Sequence, residues 1–310
     1  MSSSPPPSYE HPGPPPARPE LPEGVWRPEP APPPAPPAGR RAAWARDVQP
    51  LRSVPLWTPL AVMLAAFIGA GIVYAILAAA MGAGESGLDE VPGALIGATF
   101  AQDVLLIAGA LLVLRYAGAA GRAALGLRST AIGPALGWAA AVFGAFWLAN
   151  VVILVLFGAP EDQALVEDLR QEESALVLAG YGLLVCLAAP LAEELFFRGF
   201  LFPLLSARIG LVWGMVVTGG IFSVVHATGS PAEALFVLFV LGTGLCALAY
   251  LTRSILPCIA LHALNNAISF SATRDFAWWA FALVVVGSVV VAVALAMVAA
   301  RRLAPAAAPA

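Results

Sequence analysis

The sequence predicts an all-α fold, a polytopic membrane bundle of about eight transmembrane helices preceded by a disordered Pro-rich tail. Three observations carry that expectation. Of 310 residues, 60% are hydrophobic and 11% are charged, whereas a soluble domain carries about a quarter charged residues. The apolar residues fall in long blocks rather than on one helical face, which makes lipid the natural solvent. The charges between blocks alternate in sign, as helices that cross a bilayer back and forth require.

In chain order, residues 1–50 read as a cytoplasmic tail. Within it, residues 1–40 contain runs such as Pro5-Pro6-Pro7 and Pro32-Pro33-Pro34 and almost no aliphatic side chains. Such a segment cannot bury enough apolar surface to fold, and it lacks the charged-then-apolar pattern of a signal peptide. Pro6-Pro7-Ser8-Tyr9 has the form of a Pro-Pro-x-Tyr peptide ligand, a pattern that arises easily by chance in such tracts. Residues 51–158 hold the N-terminal transmembrane helices, 159–175 an acidic extracytoplasmic loop, 176–272 the core helices, and 273–310 the last helix and a C-terminal tail. The apolar blocks run 56–81, 92–114, 132–157, 176–205, 209–228, 232–251, 254–272 and 277–300. Most hold the roughly 20 residues that cross about 30 Å of hydrocarbon at about 1.5 Å per residue.

The loops test that division independently. One set carries Arg40, Arg41, Arg46, Arg52, Arg115, Arg122, Arg128, Arg208, Arg253, Arg301 and Arg302. The alternate set carries Glu85, Asp89, Glu90, Glu161, Asp162, Glu167, Asp168, Glu172 and Glu173, with only Arg170 and Arg274 against the trend. Positive-inside bias then places both termini in the cytoplasm of a cell-membrane protein, as an even number of spans requires. The net charge of −3 and the lack of a basic cluster exclude nucleic acid as a partner. Cys186, Cys246 and Cys258 lie dispersed in apolar stretches and read as small hydrophobes, not a disulfide framework.

Ionisable groups inside a bilayer are costly unless paired or hydrated, so each calls for a reason. Glu193-Glu194-Leu195-Phe196-Phe197-Arg198 lies deep in the fourth block. Glu194 and Arg198, four apart, share a helix face and can pair. Glu193 points about 100° away and has no cation in its own helix, which suits a desolvated general base. In the fifth block, Phe222 and His226 fall on one face of the predicted helix; alone, such a histidine is ordinarily interhelical glue. In the seventh, His262 and Asn266 share a face and can donate towards one point, with Asn265 close enough to be the alternative. Gln102-Asp103, midway along the second block, suits a supporting role on a water path more than a catalytic one. His11, the remaining histidine, lies in the tail, so both histidines of the apolar region fall within these clusters. The chain has neither a His-Glu-x-x-His motif nor a Gly-x-Ser-x-Gly elbow.

In this order, Glu193-Glu194-x-x-x-Arg198, Phe222-x-x-x-His226 and His262-x-x-x-Asn266 resemble the three motifs of the CAAX-protease and bacteriocin-processing (CPBP, or Abi) family, which includes the type II CAAX prenyl endopeptidases. Gly126-Leu127-Arg128 is similar to a short element found before that family's core helices, and the resemblance covers roughly residues 120–272. It implies Glu193 as general base, His226 holding the attacking water, His262 and Asn266 donating to the oxyanion, and Glu194 paired with Arg198, with Phe222 in support. No cofactor is expected. The alternative is a zinc-dependent protease with Glu193, His226 and His262 as ligands. A non-proteolytic scaffold of the same family is the reading from a different class, and a proton-coupled transporter ranks below both for want of an inverted repeat. The expected partners are the bilayer and a membrane-associated peptide or protein substrate, and the Ala-rich, lysine-free composition points to a bacterial chain. One expectation sits awkwardly: counted from the cytoplasmic helix ends, Glu193 lies about 20 Å deep, His226 about 25 Å and His262 about 13 Å.

Overall fold

The computed structural model describes residues 39–82, 91–118, 125–158 and 164–303. Most of the Pro-rich tail with His11, together with Glu85, Asp89, Glu90, Arg122, Glu161 and Asp162, lies outside the described residues. The described chain is an all-α bundle. Its helices are α1 (Arg40–Val48), α2 (Thr58–Ala80), α3 (Pro92–Tyr116), α4 (Ile132–Phe157), α5 (Ala164–Gln171), α6 (Ala175–Ile209), α7 (Leu211–Val224), α8 (Ala232–Thr252), α9 (Leu256–Thr273) and α10 (Trp278–Arg302).

Each apolar block has become a helix, but not all are alike. Six of them, α2, α3, α4, α6, α8 and α10, are long and apolar enough to cross a membrane. The two that fall short of the expected eight are α7, only 14 residues long, and α9, whose Asn, His, Ser and Thr content lowers its hydropathy. These two carry or adjoin the histidine motifs. The outer helices keep most of their surface free: Ile72, Ile76, Val155, Leu156 and Leu283 are each more than half exposed, as lipid-facing side chains should be. The membrane-spanning window of α8 is 44% buried against 11% for α2 and α4, so α8 stands at the centre.

Two assignments made from sequence need correction. Residues 40–50, read as the end of a disordered tail, form α1 and the start of a 3-10 turn over Gln49–Ser53. Tertiary contact supplies the reason: Trp44 lies 5.0 Å from the Phe202 ring and edge-on to Tyr250 at 5.7 Å, and its Nε1–H donates to Ser206 Oγ at 3.0 Å. The acidic stretch 159–175, read as a loop, contains α5, whose Leu169 packs with Tyr181, Cys186 and Phe270.

The loop charges sort by end. Asp47 pairs with Arg253 at 2.6 Å and Arg128 at 3.3 Å, and Arg208 donates to the Val54 carbonyl, so residues from four basic loops meet. At the far end of α9, Arg274 donates to the Leu169 carbonyl at 2.6 Å, joining two loops of the acidic set.

Helices in lipid gain nothing from the hydrophobic effect between them, so close backbone approach matters more. The α7–α8 contact shows it: a Cβ on Gly242 would lie 3.0 Å from the Gly219 Cα. The main apolar core runs from Leu106 and Leu114 through Phe196, Phe200 and Phe222 to Leu241, Leu245 and Ile259.

Candidate functional site

The polar centre is built on α6. This helix is interrupted by two π-helical turns, Leu184–Ala188 and Phe197–Leu201, on either side of Glu193-Glu194. A π-turn widens the helix by one residue and leaves carbonyls that need outside donors, a feature frequent at functional sites. Here Asn266 Nδ2 donates to the Val185 carbonyl at 3.0 Å.

Glu194 and Arg198 are fully buried and joined Nη1 to Oε1 at 2.8 Å. The second arm of the guanidinium donates to the Gly242 carbonyl at 2.9 Å, tying α6 to α8. Its carbon lies 4.7 Å from the Phe222 ring centre and 5.7 Å from that of Phe197, an aromatic bracket that suits a poorly hydrated cation. The same Glu194 oxygen accepts from His262 Nδ1 at 2.8 Å. With the same Glu194 oxygen accepting from Arg198, His262 is placed to donate from Nδ1, and in the neutral ring Nε2 then bears the lone pair.

That Nε2 faces Glu193. The gap to Oε2 is 3.8 Å, too long for a hydrogen bond, and Oε2 is buried with no partner. Glu193 itself keeps 18% side-chain exposure, so the side chain is not wholly withdrawn into the bundle although Oε2 is buried. Asp103 of α3 is buried with Oδ2 likewise unpartnered, and it interacts electrostatically with Glu193. Position alone on α3 could not reveal this; the only sequence signal was a carboxylate inside an apolar block.

His226 is placed differently from expectation. α7 ends at Val224, and the histidine follows it in a turn rather than on the helix face. Its ring still packs 4.9 Å from Phe222, whose carbonyl accepts from Nδ1 at 2.7 Å, so His226 Nε2 is also an acceptor in the neutral ring. The Phe222 ring packs near both imidazoles, lying 6.0 Å from that of His262. His262 and Asn266 do not point their bonded hydrogens at one spot, since one serves Glu194 and the other Val185. Asn265 donates to Asn266 Oδ1 at 3.4 Å. Among the described residues, no three His, Cys, Asp or Glu side chains are gathered to hold a metal ion. The alternative ligand set of Glu193, His226 and His262 is therefore not assembled here.

The depth conflict closes for Glu193 and His262, which meet although their helix positions suggested otherwise. The start of α9 is fixed by packing at the basic end of the bundle. Ser254 and Ile255, which precede it, are buried, and Gly126-Leu127-Arg128 holds them there. Ile255 N–H donates to the Gly126 carbonyl at 3.0 Å and Ser254 Oγ to that of Arg128 at 2.6 Å. Gly126 adopts φ +70°, a conformation glycine takes without strain, and Leu127 is buried between. The Gly-Leu-Arg element thereby anchors the start of the helix that carries His262.

Comparison with curated proteins and with solved structures gives no match. Comparison with protein families does give one, over the stretch that holds all the polar motifs of α6, α7 and α9: residues 175–268 match the Rce1-like family, the type II CAAX prenyl endopeptidases.

Proposed function

We propose that this protein is an intramembrane endopeptidase that hydrolyses a peptide bond in a membrane-associated or hydrophobic peptide, with Glu193 activating the water. One observation carries the reading: a buried, unpartnered Glu193 oxygen faces a histidine whose far nitrogen is already fixed by the Glu194–Arg198 pair. Widening of the 3.8 Å gap between Glu193 Oε2 and His262 Nε2 as substrate enters would admit a water about 2.8 Å from each. Glu193 takes a proton from that water as its oxygen bonds to the scissile carbonyl carbon, whose π electrons move onto oxygen. The proton is within reach of His262 Nε2, which then donates to the oxyanion together with the second Nδ2 hydrogen of Asn266. Collapse of the intermediate breaks the C–N bond; the proton passes to the leaving nitrogen, and a carboxyl group and an amine are released. In this reading His226 Nε2 accepts a hydrogen bond from the other O–H of the water and orients it, that proton staying on the oxygen. Burial of Glu194, Arg198 and Phe222 holds this arrangement rigid.

The basic end of the bundle is taken as cytoplasmic, with the protein in the cell membrane. The test compares membrane peptides in cells making the wild-type chain or Glu193→Gln at matched levels. A peptide that accumulates only with Glu193→Gln supports the reading. Identical profiles, with the variant inserted normally, overturn it in favour of a scaffold.

A further inference from the structure

A second feature lies at the basic end, apart from the polar centre. Where α1 crosses the α6–α7 junction, it borders an open cleft of about 420 Å³. Its walls are aromatic and apolar, with Trp44 from α1, Val212 and Trp213 from the first turn of α7 and Tyr250 from α8. Arg41 and Arg52 complete the lining, both exposed, and neither pairs with an acidic group among the described residues. No lining residue is acidic, and the neighbouring Asp47 is already engaged by Arg253 and Arg128.

Arginine and tryptophan gather at the interface of many membrane proteins without forming a site. Here they converge on one volume of the size that holds a small ligand. Two uncompensated guanidiniums match a phosphodiester, whose oxygens they can bind in forked pairs. The apolar side of the cleft runs onto the outer face of α7, where Val212 and Trp213 are 66% and 65% exposed. That continuity calls for a ligand with a charged head and a hydrocarbon tail.

We propose that this cleft binds the headgroup of an anionic phospholipid from the surrounding bilayer, with Arg41 and Arg52 on the phosphate and the acyl chains along Val212 and Trp213. Native mass spectrometry of the full chain, loaded with phosphatidylglycerol or phosphatidylcholine, tests it. Wild-type protein should retain one phosphatidylglycerol in preference to phosphatidylcholine. Arg41→Gln/Arg52→Gln should weaken that retention about 30-fold, from the loss of two charge-assisted contacts to the phosphate. Arg301→Gln/Arg302→Gln, an exposed pair ending α10, should leave it within about twofold. Equal loss in both double variants reduces the effect to general surface charge and overturns the site, as does equal retention of the two lipids. Displacement of the lipid by excess inorganic phosphate overturns the role given to the apolar wall. If the double variant cannot be purified, each single substitution repeats the test at about fivefold.

Discussion

Arg198→Met removes the cation from the fully buried pair at the centre of the molecule. The Glu194 anion would keep only the His262 hydrogen bond, and an uncompensated buried charge costs about 3–5 kcal/mol. Loss of the donor to the Gly242 carbonyl adds about 1 kcal/mol. The charge, not the lost packing, is the larger part, and that can be tested by removing it too. In Glu194→Gln/Arg198→Met, the introduced amide oxygen still accepts from His262 Nδ1 while the buried charge is gone. That leaves a deficit of about 1–2 kcal/mol, mainly the unmet carbonyl. Unfolding in mixed micelles, followed by tryptophan fluorescence, should therefore place the double variant at least about 2 kcal/mol above the single one. A single variant as stable as wild type, or a double variant no better than the single, would refute the account of this pair as a charge locked by burial.

Glu193→Gln should abolish turnover by about 100-fold or more, yet unfold at or above wild-type stability, because it discharges a buried oxygen that has no partner; a clear loss of stability would show that Glu193 is structural. Gly219→Ala should destabilise by about 1–3 kcal/mol, since its Cβ would lie 2.8 Å from the Thr243 nitrogen and 3.1 Å from its Cα, both backbone. Gly220→Ala, which meets nothing within 4 Å, should gain up to about 1 kcal/mol from helix propensity, so thermal melts of the two adjacent variants should diverge. Asp47→Asn removes partly exposed ion pairs and should cost under about 1 kcal/mol, with the difference shrinking as salt rises.

The membrane bundle was legible before any coordinates because lipid imposes its demand on composition and block length directly. A run such as 132–157 can be little else than a helix in hydrocarbon, where every backbone group must find a partner within its own segment. The Glu194–Arg198 pairing is of the same local kind: four residues on one helix bring the two side chains together whatever surrounds them. Charge alternation likewise anticipated which loops share an end, as Asp47 with Arg128 and Arg253 and Arg274 with Leu169 now show. The tail boundary was misplaced because α1 is polar on its own; it is a helix through Trp44 and the groove on Phe202 and Tyr250, which no local pattern encodes.

What only the tertiary structure decided is the depth and direction of each polar group. Counting residues from helix ends takes no account of how the helices pack, and the start of α9 is clipped by Gly126-Leu127-Arg128. Packing brings His262 to Glu193, while the early end of α7 turns His226 off its helix face. The Asn266 donor is spent on a carbonyl freed by a π-turn of α6, and Asp103 reaches Glu193 from a helix far away in sequence. Hydropathy and helical period are properties of one segment at a time, so they establish which residues share a face. Where two faces meet depends on how small residues let the helices approach and on which buried charges must find partners, and both are settled only when the segments pack.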